Sequence, residues 1–151
     1  MAEKTFQLEI LTLQRQFLRE PARFVIAPGQ EGVFEILPGH APFIFALKPG
    51  ALRIRTPDGR DSCVAVDAGF LVVQKDTVTV LTRSTERPEE IDLPRAQKAK
   101  ARAEERLQKR NGVDVMRAQA AMERALARVK VAAYRKKEYE HHSTRRHTSQ
   151  P

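Results

Sequence analysis

Four arginines have a spacing that could do chemistry. Arg95 and Arg102 are seven apart, which places them on one face of a helix, and Arg124 and Arg128 are four apart, on one face of another. If these helices fold back on each other at a turn near Asn111–Val113, Arg102 lies level with Arg124 and Arg95 with Arg128. Four guanidinium groups then converge across one seam. Mutual repulsion makes that costly unless an anion or carboxylates neutralise it. Three readings stay open at this point: an anion site, a solvated charged face, and a dock for acidic protein segments. The other reactive side chains form no constellation. His40 has no Asp, Glu or Cys at catalytic spacing, so hydrogen bonds that set its loop are the expected use. Cys63, the single cysteine, lies in a strand-like run and reads as a small core residue. His141, His142 and His147 lack the accompanying Cys or carboxylate pattern of a metal site. No glycine-rich phosphate-cradling loop is present. No catalytic or metal-binding residues are therefore assigned.

The charge is unevenly distributed. Residues 1–93 hold 11 Lys/Arg against 13 Asp/Glu, whereas residues 94–151 hold 16 against 6. A near-neutral part is thus followed by a strongly basic one, which should seek an acidic protein surface, a nucleic acid or a polyphosphate. One cysteine excludes an internal disulfide framework and fits a reducing compartment. Met1–Gln7 carries Glu3 and Lys4 and no apolar run, so neither a signal peptide nor a transit sequence is expected. No apolar stretch approaches the ~18 residues of a membrane span, so any membrane association should run through a partner.

Two periodicities position these residues. In the first part, Phe6, Leu8 and Ile10 alternate with polar neighbours, as do Phe24 and Ile26, Leu52 and Ile54, Val64 and Val66, and Val78 and Val80. Alternation of this kind marks strands with one buried face. Pro28-Gly29, Pro38-Gly39, Pro49-Gly50, Pro57-Asp58-Gly59 and Lys75-Asp76 punctuate them. An antiparallel β-sandwich over residues 1–85 is the expected result. Residues 86–93 read as a linker. Asp92 is a suitable N-cap and Pro94 is tolerated in a first helical turn. A helical hairpin follows over 94–139, broken at Asn111-Gly112 and capped again at Asp114. Its apolar stripes are Ala96, Ala99, Ala103 and Leu107, then Ala118, Met122, Ala125, Val129 and Ala132. Alanine buries little area, so the hairpin should be marginal alone and able to detach; a static hairpin is the alternative. Residues 140–151 read as a disordered basic tail.

The motifs of the first part are distinctive in their order. Glu31-Gly32, then Ile36-Leu37-Pro38-Gly39-His40-Ala41-Pro42, then Leu47-Lys48-Pro49-Gly50 resemble the signature loop of F-type ATP synthase epsilon subunits, the counterparts of the mitochondrial delta subunit. Gly69-Phe70-Leu71-Val72-Val73 and Val78-Thr79-Val80-Leu81 resemble the same family, and Ile91-Asp92-x-x-Arg95-Ala96 is similar to its helix-opening motif. The resemblance covers roughly residues 5–135. Phe34-Glu35 departs from it, standing where a small or glycine-containing pair is more usual, and so does Pro94.

The resemblance implies a non-catalytic rotor-stalk subunit that couples proton translocation to ATP synthesis. It implies a gamma-subunit contact through the β domain. It also implies a tip resting on the ring of membrane-embedded c subunits through Glu31, Gly32, Pro38, Gly39, His40 and Pro42. Two prolines and a glycine make such a tip stiff. It implies ATP as a regulatory ligand, with no cofactor required, at Glu86, Ile91, Asp92, Arg95, Ala96, Arg102, Arg124 and Arg128. ATP would hold the hairpin folded down. When released, the basic helices would reach acidic segments of the beta subunits and block hydrolysis. The implied location is peripheral, on the cytoplasmic face of a bacterial plasma membrane or the stromal face of a thylakoid. Two other readings compete. A nucleic-acid module would use the basic helices, but the first part is net negative and the chain is only 6% aromatic, so it offers no stacking platform. A mitochondrial counterpart of the same subunit would be expected to carry a transit sequence.

Overall fold

The computed structural model describes residues 4–109 and 114–146, and side chains through Tyr134. Ten strands come first: β1 Phe6–Leu11, β2 Gln16–Ala22, β3 Phe24–Gly29, β4 Gly32–Ile36, β5 Phe43–Leu47, β6 Gly50–Arg55, β7 Asp61–Val66, β8 Gly69–Gln74, β9 Thr77–Thr82 and β10 Thr85–Glu86. A 3-10 turn, Pro88–Glu90, leads into helix α1, Leu93–Lys109, and then α2, Val115–Arg146. The expected β-sandwich followed by two helices is the fold that forms. The strands run in the order β10-β7-β6-β3-β5-β8-β9-β1-β2, with β4 paired to β3 off that path.

One pairing departs from an all-antiparallel sandwich. β1 lies parallel to β9, with Leu8 opposite Val78 and Ile10 opposite Val80. Turn residues between neighbouring strands carry no information about a partner some seventy residues away, so sequence punctuation could not reveal it.

The core is built from the inward rungs. Leu8, Ile10, Val25, Leu47, Leu52, Ile54, Leu71, Val78 and Val80 are all fully enclosed. Burying such a side chain stabilises the fold by about 1.5–3 kcal/mol each. In β3 the facing is the reverse of the expected one. Val25 and Ala27 point into the core, while Phe24 and Ile26 are half-buried. The run Phe24-Val25-Ile26-Ala27 is apolar at every position, so alternation gives no basis for choosing a face. The Phe24 ring is used elsewhere, under the Arg55 guanidinium at 5.0 Å. Gly69 sits where β8 begins against the end of β9. A Cβ there would stand 1.9 Å from the Leu81 carbonyl oxygen, so only glycine fits.

The helices start as the sequence predicts. Asp92 Oδ1 accepts the Arg95 amide at 3.1 Å, and the Asp92 carbonyl accepts the Ala96 amide at 3.0 Å. Asp114 Oδ1 accepts the Met116 amide at 3.1 Å. The break at Asn111-Gly112 lies outside the described residues. At its other end α2 corrects an expectation: its backbone stays helical to Arg146, well into the stretch 140–151 read as disordered. Glu138, Glu140 and Arg145 are sound helix formers, and no proline or glycine interrupts them. His147 lies outside the described residues, as do the side chains of His141 and His142.

Candidate functional site

Two places gather the residues of interest: the seam where the hairpin meets the β domain, and the tip beyond β3, β4 and β5.

At the seam, α2 is buried on two opposite sides. Ala118 and Ala125 are buried on one, the side expected to meet Ala96 and Ala103 of α1, which are also buried. Ala127, Val131 and Tyr134 lie half a helical turn away, at spacings of four and three. Val131 is 0% exposed and packs with Cys63 and Ala65 of β7, flanked by Ala51, Ile91 and Tyr134. Strand β7 is therefore buried on both faces: Val64 and Val66 enter the sandwich core, while Cys63 and Ala65 lie under α2. Cys63 is a buried packing residue as expected, but beneath the helix rather than inside the sandwich.

Polar contacts frame this apolar strip. Arg128 Nε donates to Glu86 Oε1 at 2.6 Å, an ion pair joining α2 to β10 across 42 positions. Arg124, Asp67 and Ser84 line the same small cavity of about 10 Å³, enough for roughly one water. On the other flank, Arg55 donates twice to Asp61, at 2.7 and 2.7 Å. That hydrogen-bonded pairing draws the Asp61 carboxyl below its ordinary range and raises the Arg55 guanidinium. Burial, with the Asp61 charge adding to it, pushes the Tyr134 phenol up.

The eight expected anion-site residues thus separate. Glu86, Arg124 and Arg128 come together around one cavity, which Arg95 and Arg102 do not line. The latter two side chains are exposed on α1. Asp92 is occupied as the α1 cap, Ala96 is buried, and Ile91 belongs to the apolar strip. Sequence reading missed Ala127, Val131 and Tyr134. Their spacing of four and three was a usable signal, hidden because α2 carries alanines on every side.

At the tip, Gly29 pairs with Gly32 and closes the β3–β4 hairpin around Glu31. Gly32 adopts φ +132° and Gly39 φ +85°, backbone that favours glycine. The His40 amide donates to the Leu37 carbonyl at 3.3 Å, and its Nδ1 lies 2.6 Å from the Ala41 carbonyl. The imidazole is engaged in holding the loop. Glu31, Gly32, Gly39 and Pro42 are exposed, with Pro38 and His40 half-buried between them. Three large apolar side chains share this end and were not singled out from sequence: Val33 at 71% exposure, Leu37 at 54% and Phe43 at 58%. A further apolar row crosses the outer sheet face. Ala46, Phe70, Leu81 and Leu11 are successive cross-strand partners on β5, β8, β9 and β1. It borders a groove of about 240 Å³ lined by Leu11, Leu13, Leu81 and Arg83. Among the described residues no helix is long and apolar enough to cross a membrane, and no group of three or more His, Cys, Asp or Glu is placed to hold a metal.

Comparison with known proteins matches this arrangement along most of its length. The family model for the ATP synthase delta/epsilon chain, beta-sandwich domain, matches residues 5–88. The model for the long alpha-helix domain of the same chain matches residues 89–133. The ATP synthase epsilon chain of Nitratidesulfovibrio vulgaris is 49% identical over 130 residues, 85% of this chain and 96% of that one. That of Syntrophobacter fumaroxidans is 47% identical over 133 residues, 87% of this chain and 98% of that one. Among solved structures, a chain of the Euglena gracilis mitochondrial ATP synthase, resolved with OSCP, F1 and c-ring, superposes with a TM-score of 0.75. The identity there is 22%, over 85% of this chain and 81% of that one, which speaks to the fold alone. With both domains matched in order and relatives near half-identical across nearly their full length, the chain belongs to the delta/epsilon chain family of ATP synthases.

Proposed function

We propose that the chain works as a non-catalytic central-stalk subunit of an F-type ATP synthase, in which the β domain is the fixed part and the helical hairpin a releasable arm. The observation that carries this is the seam. A narrow strip built on Val131, flanked by Ala51, Ile91 and Tyr134, and the half-exposed Glu86–Arg128 ion pair join α2 to the sheet. The apolar row Ala46, Phe70, Leu81 and Leu11 offers the gamma subunit an exposed apolar seat on the outer sheet face. The tip at Glu31, Gly32, Pro38, Gly39, His40 and Pro42, with Val33, Leu37 and Phe43 beside it, meets the c ring. The arm, once free, carries its Lys and Arg residues to acidic segments of the beta subunits and opposes hydrolysis. The complex sits peripherally at the cytoplasmic face of a bacterial membrane, in keeping with the bacterial relatives.

ATP acts on the arm as a regulatory ligand in this reading. Phosphate oxygens suit Arg124 and Arg128, but the space between those side chains and Glu86 holds roughly one water. Nucleotide must therefore part Arg128 from Glu86, or approach from the exposed side with Arg95 and Arg102. Charge on the β domain and the family membership both disfavour a nucleic-acid role.

The test is truncation after Glu90. The shortened chain should still bind gamma stoichiometrically and should no longer inhibit ATP hydrolysis. Equal inhibition by the short and full chains refutes the arm. Titration of the full chain with ATP, followed by NMR, tests the ligand separately. Shifts should appear at Glu86 and on the arginine-bearing helices, and silence at millimolar ATP removes the sensor while leaving the stalk role intact.

A further inference from the structure

The legs of the loop 37–42 are not laddered to each other. β4 hydrogen-bonds to β3, whereas β5 pairs along its length with β8 and meets β3 only at Gly29–Leu47. A loop hung between two such strands lacks the usual hairpin closure. Aromatic rings take its place. Phe34 on β4 stacks on Phe45 on β5, with centroids 4.1 Å apart and planes 18° from parallel. Phe43 leans on Phe45 at 4.7 Å, and the His40 ring meets its edge at 5.7 Å. Phe45 is thus common to all three contacts. The Phe34 ring also lies close to Gly29, where an added Cβ would stand 2.8 Å from it. Both Phe34 and Phe45 are also packed against the sandwich core.

We infer that Phe34 and Phe45 are positioning residues: their stack clamps the loop 37–42 to the β domain and fixes the direction in which the tip is presented. The inference rests on the reading above that this tip is a partner contact. The chemistry is specific to rings. Offset and stacked aromatic pairs gain more than their buried area alone supplies, and a leucine of similar volume restores the area but not the stacking.

Hydrogen exchange on the full chain tests the clamp. In Phe34→Leu and Phe45→Leu the amide of His40 should exchange roughly three- to tenfold faster, while core amides away from the stack, such as that of Leu52 on β6, stay unchanged. Phe34→Tyr should restore the slow rate. The double leucine variant should be no faster than Phe45→Leu alone, since that variant already loses the stack with Phe34 together with the Phe43 and His40 contacts. Unchanged exchange in both leucine variants, or no rescue by tyrosine, overturns the clamp. Protons pumped per ATP by the reassembled synthase then distinguish the clamp from the tip reading. A loosened loop with lower pumping supports both; a loosened loop with full pumping overturns the tip contact and leaves the clamp standing.

Discussion

The β domain and the helical hairpin are held by different amounts of carbon. Among the described residues, ten of the eleven largest fully buried side chains belong to the β domain and one, Val131, to the hairpin, whose other buried residues are Ala96, Ala103, Ala118, Ala125 and Ala127. An alanine methyl contributes about 0.8 kcal/mol on burial, where a leucine or isoleucine contributes two or three times as much. The same chain therefore contains a body with a large apolar core and a helix pair whose buried side chains are mostly methyl groups. The difference teaches that how firmly a region is held can be written into its composition.

The largest effect that could break this contrast belongs to the body. Leu71→Ala, at a fully enclosed core position, should cost about 3–4 kcal/mol and lower the global transition in chemical denaturation. Gly69→Ala should rival it, by about 3 kcal/mol, since its methyl meets the Leu81 carbonyl. If either were neutral, the body would not be the rigid partner. Next comes the arm. Val131→Ala should remove about 1.5 kcal/mol from docking while leaving the unfolding of the β domain where it was. Alkylation of Cys63, which α2 covers, should accelerate roughly tenfold. Loss of β-domain stability in that variant would show that the two regions form one cooperative unit.

Smaller effects sharpen the comparison. Glu86→Gln should loosen the arm by about 0.5–1 kcal/mol, because both partners of the ion pair keep contact with solvent. Raising the salt concentration should reproduce much of that loss in the parent chain and none of it in the variant. The smallest effect concerns acid. Asp61 has a folded pKa below its ordinary 3.8, chiefly through its hydrogen bonds to Arg55. Its contribution is thus fully present above that value and is lost as pH falls through the depressed one. Asp61→Asn should lower stability slightly at neutral pH, where the carboxylate contributes, and flatten the acid limb below pH 3.8, so that the variant and the parent converge in strong acid.

The β domain was largely legible because its strands alternate and its turns carry proline and glycine. Leu52 and Ile54 declare their face; Phe24-Val25-Ile26-Ala27 does not, and that strand was read the wrong way in. The helix starts were legible from Asp92 and Asp114, whose carboxylates cap as local chemistry dictates. The seam was not. An alanine-rich helix shows no single apolar stripe, so the docking side of α2 was indistinguishable from the side facing α1. The Glu86–Arg128 pair spans 42 residues, and no local rule connects them. Of the tip, the stiff loop could be read from Pro38, Gly39 and Pro42. The rings that brace it could not, because stacking depends on which strands lie side by side.

The parallel union of β1 and β9 has a consequence for how this chain is made. Of these strands β1 is made before the others and β2 follows it directly, yet the other edge of β1 waits for residues about seventy positions later. At about 5–20 residues per second, that edge stays open for several seconds of synthesis. Every nascent chain ending before Thr82 lacks the strand that seals the sheet, so translation must run nearly to the end of the β domain before a folded body exists.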